Sequence, residues 1–243
     1  MPFDEYKLSG LDIQTIAYAE DLLTRACMRE VGLDWQVLTP MSHDPAPLSR
    51  RRYGVLDPEM ARHYGYHLPP PSEEMAARDR VWQQREELPK NQEQAVYGTD
   101  DQEGCWDQAR EQLHADVVDP GEPSLYEFES EAFEAATQTG EVTAVFDEWS
   151  ACMREEGFDY ADPLSAVGDS VWTRADQASQ REVAAATADV ACKDRTDLVQ
   201  VWSKVESRLQ EEAIEEHPAR FAAFAEAKEA QIQAARQAIA ELD

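Results

Sequence analysis

Large aliphatic side chains and phenylalanine are scarce in this chain: Leu, Ile, Val and Phe together supply 44 of its 243 residues, about 18%. Basic residues are scarce as well, 22 Lys and Arg against 50 Asp and Glu, which leaves a formal charge of −28. A surface this acidic repels phosphate backbones and anionic lipid headgroups, so nucleic acid is excluded as an expected partner. The one basic cluster, Arg50-Arg51-Arg52, is short and reads as a neutraliser of nearby carboxylates. No apolar run approaches the ~20 residues that cross a bilayer. The first residues, Met1-Pro2-Phe3-Asp4-Glu5, have neither the basic nor the apolar region of a signal peptide. An exported form of the chain is therefore expected to have lost its signal, with Met1 supplied by expression.

A thin supply of core residues with high charge is the composition of a disordered chain. Six tryptophans, abundant alanine and clear helix-capping signals oppose that reading. Ala-rich helix interfaces bury little area per residue, and covalent cross-links would compensate. No β-alternation is evident anywhere, so the expected fold is all-α.

The clearest internal signal is a duplication. Ala26-Cys27-Met28-Arg29-Glu30-Val31-Gly32-Leu33-Asp34 recurs 125 positions later as Ala151-Cys152-Met153-Arg154-Glu155-Glu156-Gly157-Phe158-Asp159, with seven of nine positions identical. Both copies read as the last turns of a helix that stops at a glycine C-cap. Ile13, Ile16, Ala17, Leu23, Cys27 and Val31 are expected on one face of the first helix. Val142, Val145, Phe146, Trp149, Cys152 and Met153 are expected on one face of the second. One further cysteine follows each copy, Cys105 and Cys192. Four cysteines allow three pairings. The duplication favours Cys27–Cys105 and Cys152–Cys192, one bridge per repeat; four buried free thiols are the alternative. Zinc is disfavoured, since no two cysteines have C-x-x-C spacing.

Asp119-Pro120-Gly121-Glu122-Pro123 divides the chain into expected units 1–121 and 122–243. Pro40 to Pro47 reads as a loop, Asp57-Pro58-Glu59 opens a short helix that Gly65 ends, and Ser72 caps a helix with Met75, Val81 and Trp82 on its apolar side. From about Gln177 the chain reads as helical, interrupted at His217-Pro218, which predicts a long C-terminal antiparallel hairpin.

A longer series of elements runs through the chain in order: Ala26-Cys27-Met28…Gly32, Arg52-Tyr53-Gly54, Tyr64-Gly65-Tyr66, Tyr97-Gly98, Gly104-Cys105, Cys152-Met153…Gly157 and Ala188-Asp189-Val190-Ala191-Cys192-Lys193. This series resembles a group of poorly characterised secreted proteins and lipoproteins of actinobacteria. The resemblance implies export and an N-terminal lipid anchor, although no lipid-accepting cysteine stands near the start of this chain. It implies no activity.

Candidate chemistry is sparse. His63 and His67 are four apart, but Gly65 lies between them and Pro69 follows, so two independent histidines are expected and no metal site. His43, His114 and His217 sit in no recognisable setting, G-x-S-x-G and phosphate loops are absent, and no catalytic residue is assigned. Asp100-Asp101-Gln102-Glu103 lacks the ligand pattern of an EF-hand and reads as the acidic start of the helix carrying Cys105. The segment from Tyr53 to Pro71 offers tyrosines and a triple proline on one loop, so Tyr53, Tyr64, Tyr66 and His67 are the candidate binding surface. The favoured reading of the three tyrosines is nonetheless that they pack this loop onto the first helix pair, as tyrosines beside glycines commonly do.

The sequence therefore points to a non-enzymatic extracytoplasmic protein, without cofactor, that engages a protein or an envelope component. An extracytoplasmic hydrolase with an unrecognised site and a carrier of small ligands or cations are the alternatives.

Overall fold

The computed structural model describes residues 1–41 and 51–242. His43, Arg50 and all of the expected Pro40–Pro47 loop beyond Met41 lie outside them. Among the described residues there is no strand. In chain order, a short 3-10 helix (Pro2–Tyr6) precedes α1 (Gly10–Glu30), α2 (Pro58–Tyr64), α3 (Glu73–Glu86), α4 (Lys90–Tyr97), α5 (Cys105–His114) and α6 (Leu125–Thr137). Then come α7 (Gly140–Glu155), α8 (Pro163–Val167), α9 (Ser170–Thr173), α10 (Gln180–Arg195), α11 (Leu198–Glu216) and α12 (Pro218–Leu242).

The elements gather into two compact units, each assembled from three stretches of chain. Unit 1 takes Met1–Phe3, Leu48–Pro70 and Pro123–His217; unit 2 takes Asp4–Pro47, Pro71–Glu122 and Pro218–Asp243. The passage at Glu122–Pro123 falls in the proline-glycine boundary read from the sequence, and the chain passes between units at other points besides.

The expected C-terminal hairpin is not how α12 is buried. In unit 1, α11 packs on α6 and α7; in unit 2, α12 packs mainly on α1 and also on α5. Only His217 separates α11 from α12, and an antiparallel helical return needs a loop of about 2–5 residues. The long helix expected from Gln177 is also divided, because Asp197, at φ +53°, sits in the left-handed region between α10 and α11.

Local signals set the helix ends. Ser9 and Asp12 form a reciprocal capping box at α1, Ser9 N donating to Asp12 Oδ2 at 2.9 Å and Asp12 N to Ser9 Oγ at 3.1 Å. Ser124 and Glu127 repeat it at α6. The duplicated segments end α1 and α7 in the same way. Leu33 N donates to Met28 O and Phe158 N to Met153 O, both at 2.9 Å, while Gly32 N and Gly157 N donate to Arg29 O and Arg154 O at 3.0 and 3.1 Å. These are two Schellman closures at equivalent positions, with Gly32 and Gly157 at positive φ.

Each closure is followed by a bridge. Cys27 joins α1 to Cys105 at the start of α5, and Cys152 joins α7 to Cys192 on α10, with Cα–Cα distances of 5.6 and 5.7 Å. This is the pairing that the duplication favours. Spanning 78 and 40 residues, each bridge removes about 4 kcal/mol of unfolded-chain entropy.

Unit 1 is centred on two fully buried tryptophans, Trp149 and Trp202. Tyr53, Phe133 and Phe146 surround Trp202 with ring centroids 5.0–5.1 Å away. The predicted face of α7 is the buried face. In unit 2 the predicted stripes of α1 and α3 are displaced. Ile13 and Val31 are exposed while Ala19, Asp21, Leu22 and Met28 face inward, because α1 must serve both α12 and α5. On α3, Met75 and Trp82 are exposed and the buried residue is Arg85, whose guanidinium lies between the Trp35 and Trp82 rings and donates to both oxygens of Asp21.

Candidate functional site

Helix α10 carries Glu182, Asp189 and Lys193 at spacings of seven and four, which place them on one helical face. That face points into unit 1, where all three are buried. Buried charge is costly unless it is paired and hydrogen-bonded, so each has a dedicated partner set. Lys193 Nζ donates to Asp189 Oδ2 at 2.9 Å and to the Val55 carbonyl at 3.3 Å, and Trp149 Nε1 donates to Asp189 Oδ1 at 3.0 Å. Burial holds the Asp189 carboxyl above the usual carboxylate range even beside Lys193. The Tyr66 hydroxyl lies next to Asp189, and burial together with that carboxylate raises its ionisation far above a free phenol's.

The chain on either side of α2 is shaped to these charges. A Cβ on residue 54 would stand 2.8 Å from Lys193 Nζ, and one on residue 65 would stand 2.7 Å from Glu182 Oε1. The glycines of Tyr53-Gly54 and Tyr64-Gly65 thus admit one buried charge each. Beyond Gly65, Glu182 Oε1 accepts from Tyr66 N at 2.9 Å and meets His67 Nδ1 at 2.7 Å. His67 Nε2 meets the Ala175 carbonyl at 2.8 Å. Arg51 donates to the carbonyls of Tyr66 and His67 at 2.7 and 2.8 Å. With an oxygen acceptor at each ring nitrogen, His67 is arranged to carry both protons, and the Ala175 carbonyl and Glu182 raise its pKa above 6.5.

A second buried carboxylate, Glu206 on α11, accepts from Arg52 Nε at 2.6 Å and from Tyr53 Oη and Gln210 Nε2, both at 2.9 Å. Arg52 also reaches Glu129 at 2.6 Å. The basic cluster does neutralise carboxylates at Arg52, while Arg51 serves backbone carbonyls.

The four candidate residues of the Tyr53–Pro71 surface are therefore separated by the fold. Tyr53 and Tyr66 are not surface residues: both are buried, since their rings pack on Trp202 and Trp172. Tyr64 is half-buried, and His67 is an anchor with a quarter of its side chain exposed. Besides Leu56–Glu59, Arg62 and His63, the segment leaves Leu68-Pro69-Pro70-Pro71 on the surface. His63 and His67 turn to different carboxylates, His63 facing Glu59 at 3.6 Å. Among the described residues no cluster of three or more His, Cys, Asp or Glu is placed to hold a metal.

Sequence reasoning does not single out Glu182 or Glu206, and it meets Asp189 and Lys193 only inside the Ala188–Lys193 element, without a role. Their signal is there all the same, as charges inside otherwise Ala- and Val-rich helical faces. Unit 2 repeats the theme with other residues: Asp21, on the bridged helix α1, accepts from Trp35 Nε1 at 3.0 Å and from Arg85, as Asp189 accepts from Trp149 and Lys193. Chemically, both ring nitrogens of His67 are committed to acceptors within the protein. The arrangement orients and fastens a chain segment. Comparison of the chain with protein-family models, with curated proteins and with solved structures gave no match.

Proposed function

We propose that this chain is an exported, disulfide-braced helical binding protein that engages a protein or another component of the cell envelope. The observation that carries the reading is the pair of bridges, set at equivalent positions behind two duplicated helix ends. Such bridges persist in oxidising compartments. The resemblance to secreted proteins and lipoproteins of actinobacteria supports the same reading, and so does an acidic surface that keeps the chain from polyanions. The contact element we assign is Leu68–Pro71, exposed and stiffened by three prolines, with half-buried Tyr64 beside its anchor.

The test is a non-reducing peptide map of protein isolated from its native source with thiols blocked at lysis. Linked Cys27–Cys105 and Cys152–Cys192 peptides are expected; four free thiols overturn the export reading. Photo-crosslinking from position 68 on intact cells addresses the contact element. A discrete surface adduct that disappears in Pro70→Ser supports it, and adducts unchanged by that substitution exclude it.

A further inference from the structure

We propose that His67 is a proton-operated latch that holds the turn following α2 onto α10 and the α9–α10 connection. Two stretches far apart in sequence meet at one imidazole: the Gly65–Leu68 turn that bears it, and the stretch that supplies the Ala175 carbonyl and then Glu182 on α10. The latch has no slack. Glu182 is fully buried, its Oε1 also accepts the Tyr66 amide, and its Oε2 makes no hydrogen bond. The charged groups facing His67 are Glu182 from α10 and Arg51 from the segment before α2. Arg181 and Asp176, next in sequence to Glu182 and Ala175, are exposed. On α2 itself His63 is turned to Glu59, and further along α10 Asp189 is paired with Lys193.

An imidazolium donates from both nitrogens and satisfies both oxygens. A neutral imidazole keeps one N–H, so one nitrogen lone pair must then face an oxygen lone pair and that contact turns repulsive. The sign follows from the raised pKa of His67. Its contribution to stability is complete below about 6.5, the pKa of an unrestrained histidine, and is lost as the pH climbs through the higher folded-state value. The latch is therefore shut below an unrestrained histidine's pKa and opens as the pH passes the raised folded-state value. Opening frees Leu68–Pro71 at the end nearest its anchor, whatever that segment contacts.

The experiment is an NMR titration of the intact, oxidised protein from pH 5 to 9, following the histidine ring signals with His67→Gln for assignment. Amide exchange of Tyr66 is measured alongside, corrected for intrinsic base catalysis. His67 is expected to titrate above 6.5, with a lower midpoint in Glu182→Gln. Protection of the Tyr66 amide, whose acceptor is Glu182, should fall by about tenfold or more across that midpoint. A midpoint at or below 6.5, or Tyr66 protection that ignores it, overturns the latch. Both measurements are made on the unsubstituted protein, so they decide the question even where a variant fails to fold.

Discussion

Lys193 and Asp189, one turn apart on α10, form an ion pair at 2.9 Å in the interior of unit 1, with Trp149 donating to the second carboxylate oxygen. Removing one member strands the other. Lys193→Ala should cost about 3–5 kcal/mol in urea unfolding. A loss under about 1 kcal/mol would mean that the pair is solvated in solution.

Two glycine-to-alanine substitutions compare backbone strain alone with strain joined to crowding. Gly157→Ala meets nothing within 4 Å, so its cost is the left-handed φ of +88°, about 1–2 kcal/mol. Gly65→Ala carries at least that strain, since φ +59° with ψ −127° lies outside the left-handed helical well, and it also drives its Cβ into Glu182, disturbing charged hydrogen bonds that add about 1.5–3 kcal/mol. Equal losses in the two variants, by thermal or urea unfolding, would refute the fitted glycine at position 65.

The two bridges differ in access. Cys152 and Cys192 are both buried, whereas Cys27 is only half-buried. Under native conditions a small thiol reductant should open Cys27–Cys105 first, with Cys152–Cys192 surviving until unit 1 unfolds. Timed alkylation and peptide mapping read the order, and simultaneous loss would contradict it. Deleting Cys152–Cys192 as the double alanine variant should lower stability by about 4 kcal/mol.

Glu20 on α1 gives a pH-dependent signature. Burial raises its carboxyl pKa above 4.5, against the pull of Arg110, and Trp106 Nε1 donates to its Oε1. Ionised Glu20 therefore weighs against the folded state, an effect absent at low pH and growing as the pH rises through the folded pKa. Glu20→Gln keeps an acceptor oxygen and should raise the melting temperature at pH 7 while leaving it unchanged near pH 3.5. A drop at pH 7 would show that Glu20 is held by a stronger partner than Arg110.

The all-helical class, the cysteine pairing and the α7 face were legible because each rests on local periodicity or on the duplicated segment. The partner of α12 was not, since Phe221, Phe224 and Ile232 mark an apolar face without saying which helix covers it. The turn at Asp197 was hidden because a left-handed aspartate leaves no mark in periodicity. At the site, Tyr53-Gly54 and Tyr64-Gly65 stood out as motifs, yet their purpose lay in Lys193 and Glu182, well over a hundred residues downstream. Tyrosine beside glycine did mark packing, at Tyr53 and Tyr66, but not its covers, Trp202 and Trp172, nor the buried charges that the glycines admit.

The pairing of α12 with α1 also has a meaning in time. During synthesis α1 emerges long before α12, so its apolar stripe waits for its cover while every helix from α2 to α11 is made. Cys27 and Cys105 both precede α12 in the chain, so the first bridge can act as a placeholder that fastens α1 to α5 before α12 is in place. Until α12 arrives the helix pair is unfinished, and the bridge that holds α1 to α5 in the meantime does part of a chaperone's job.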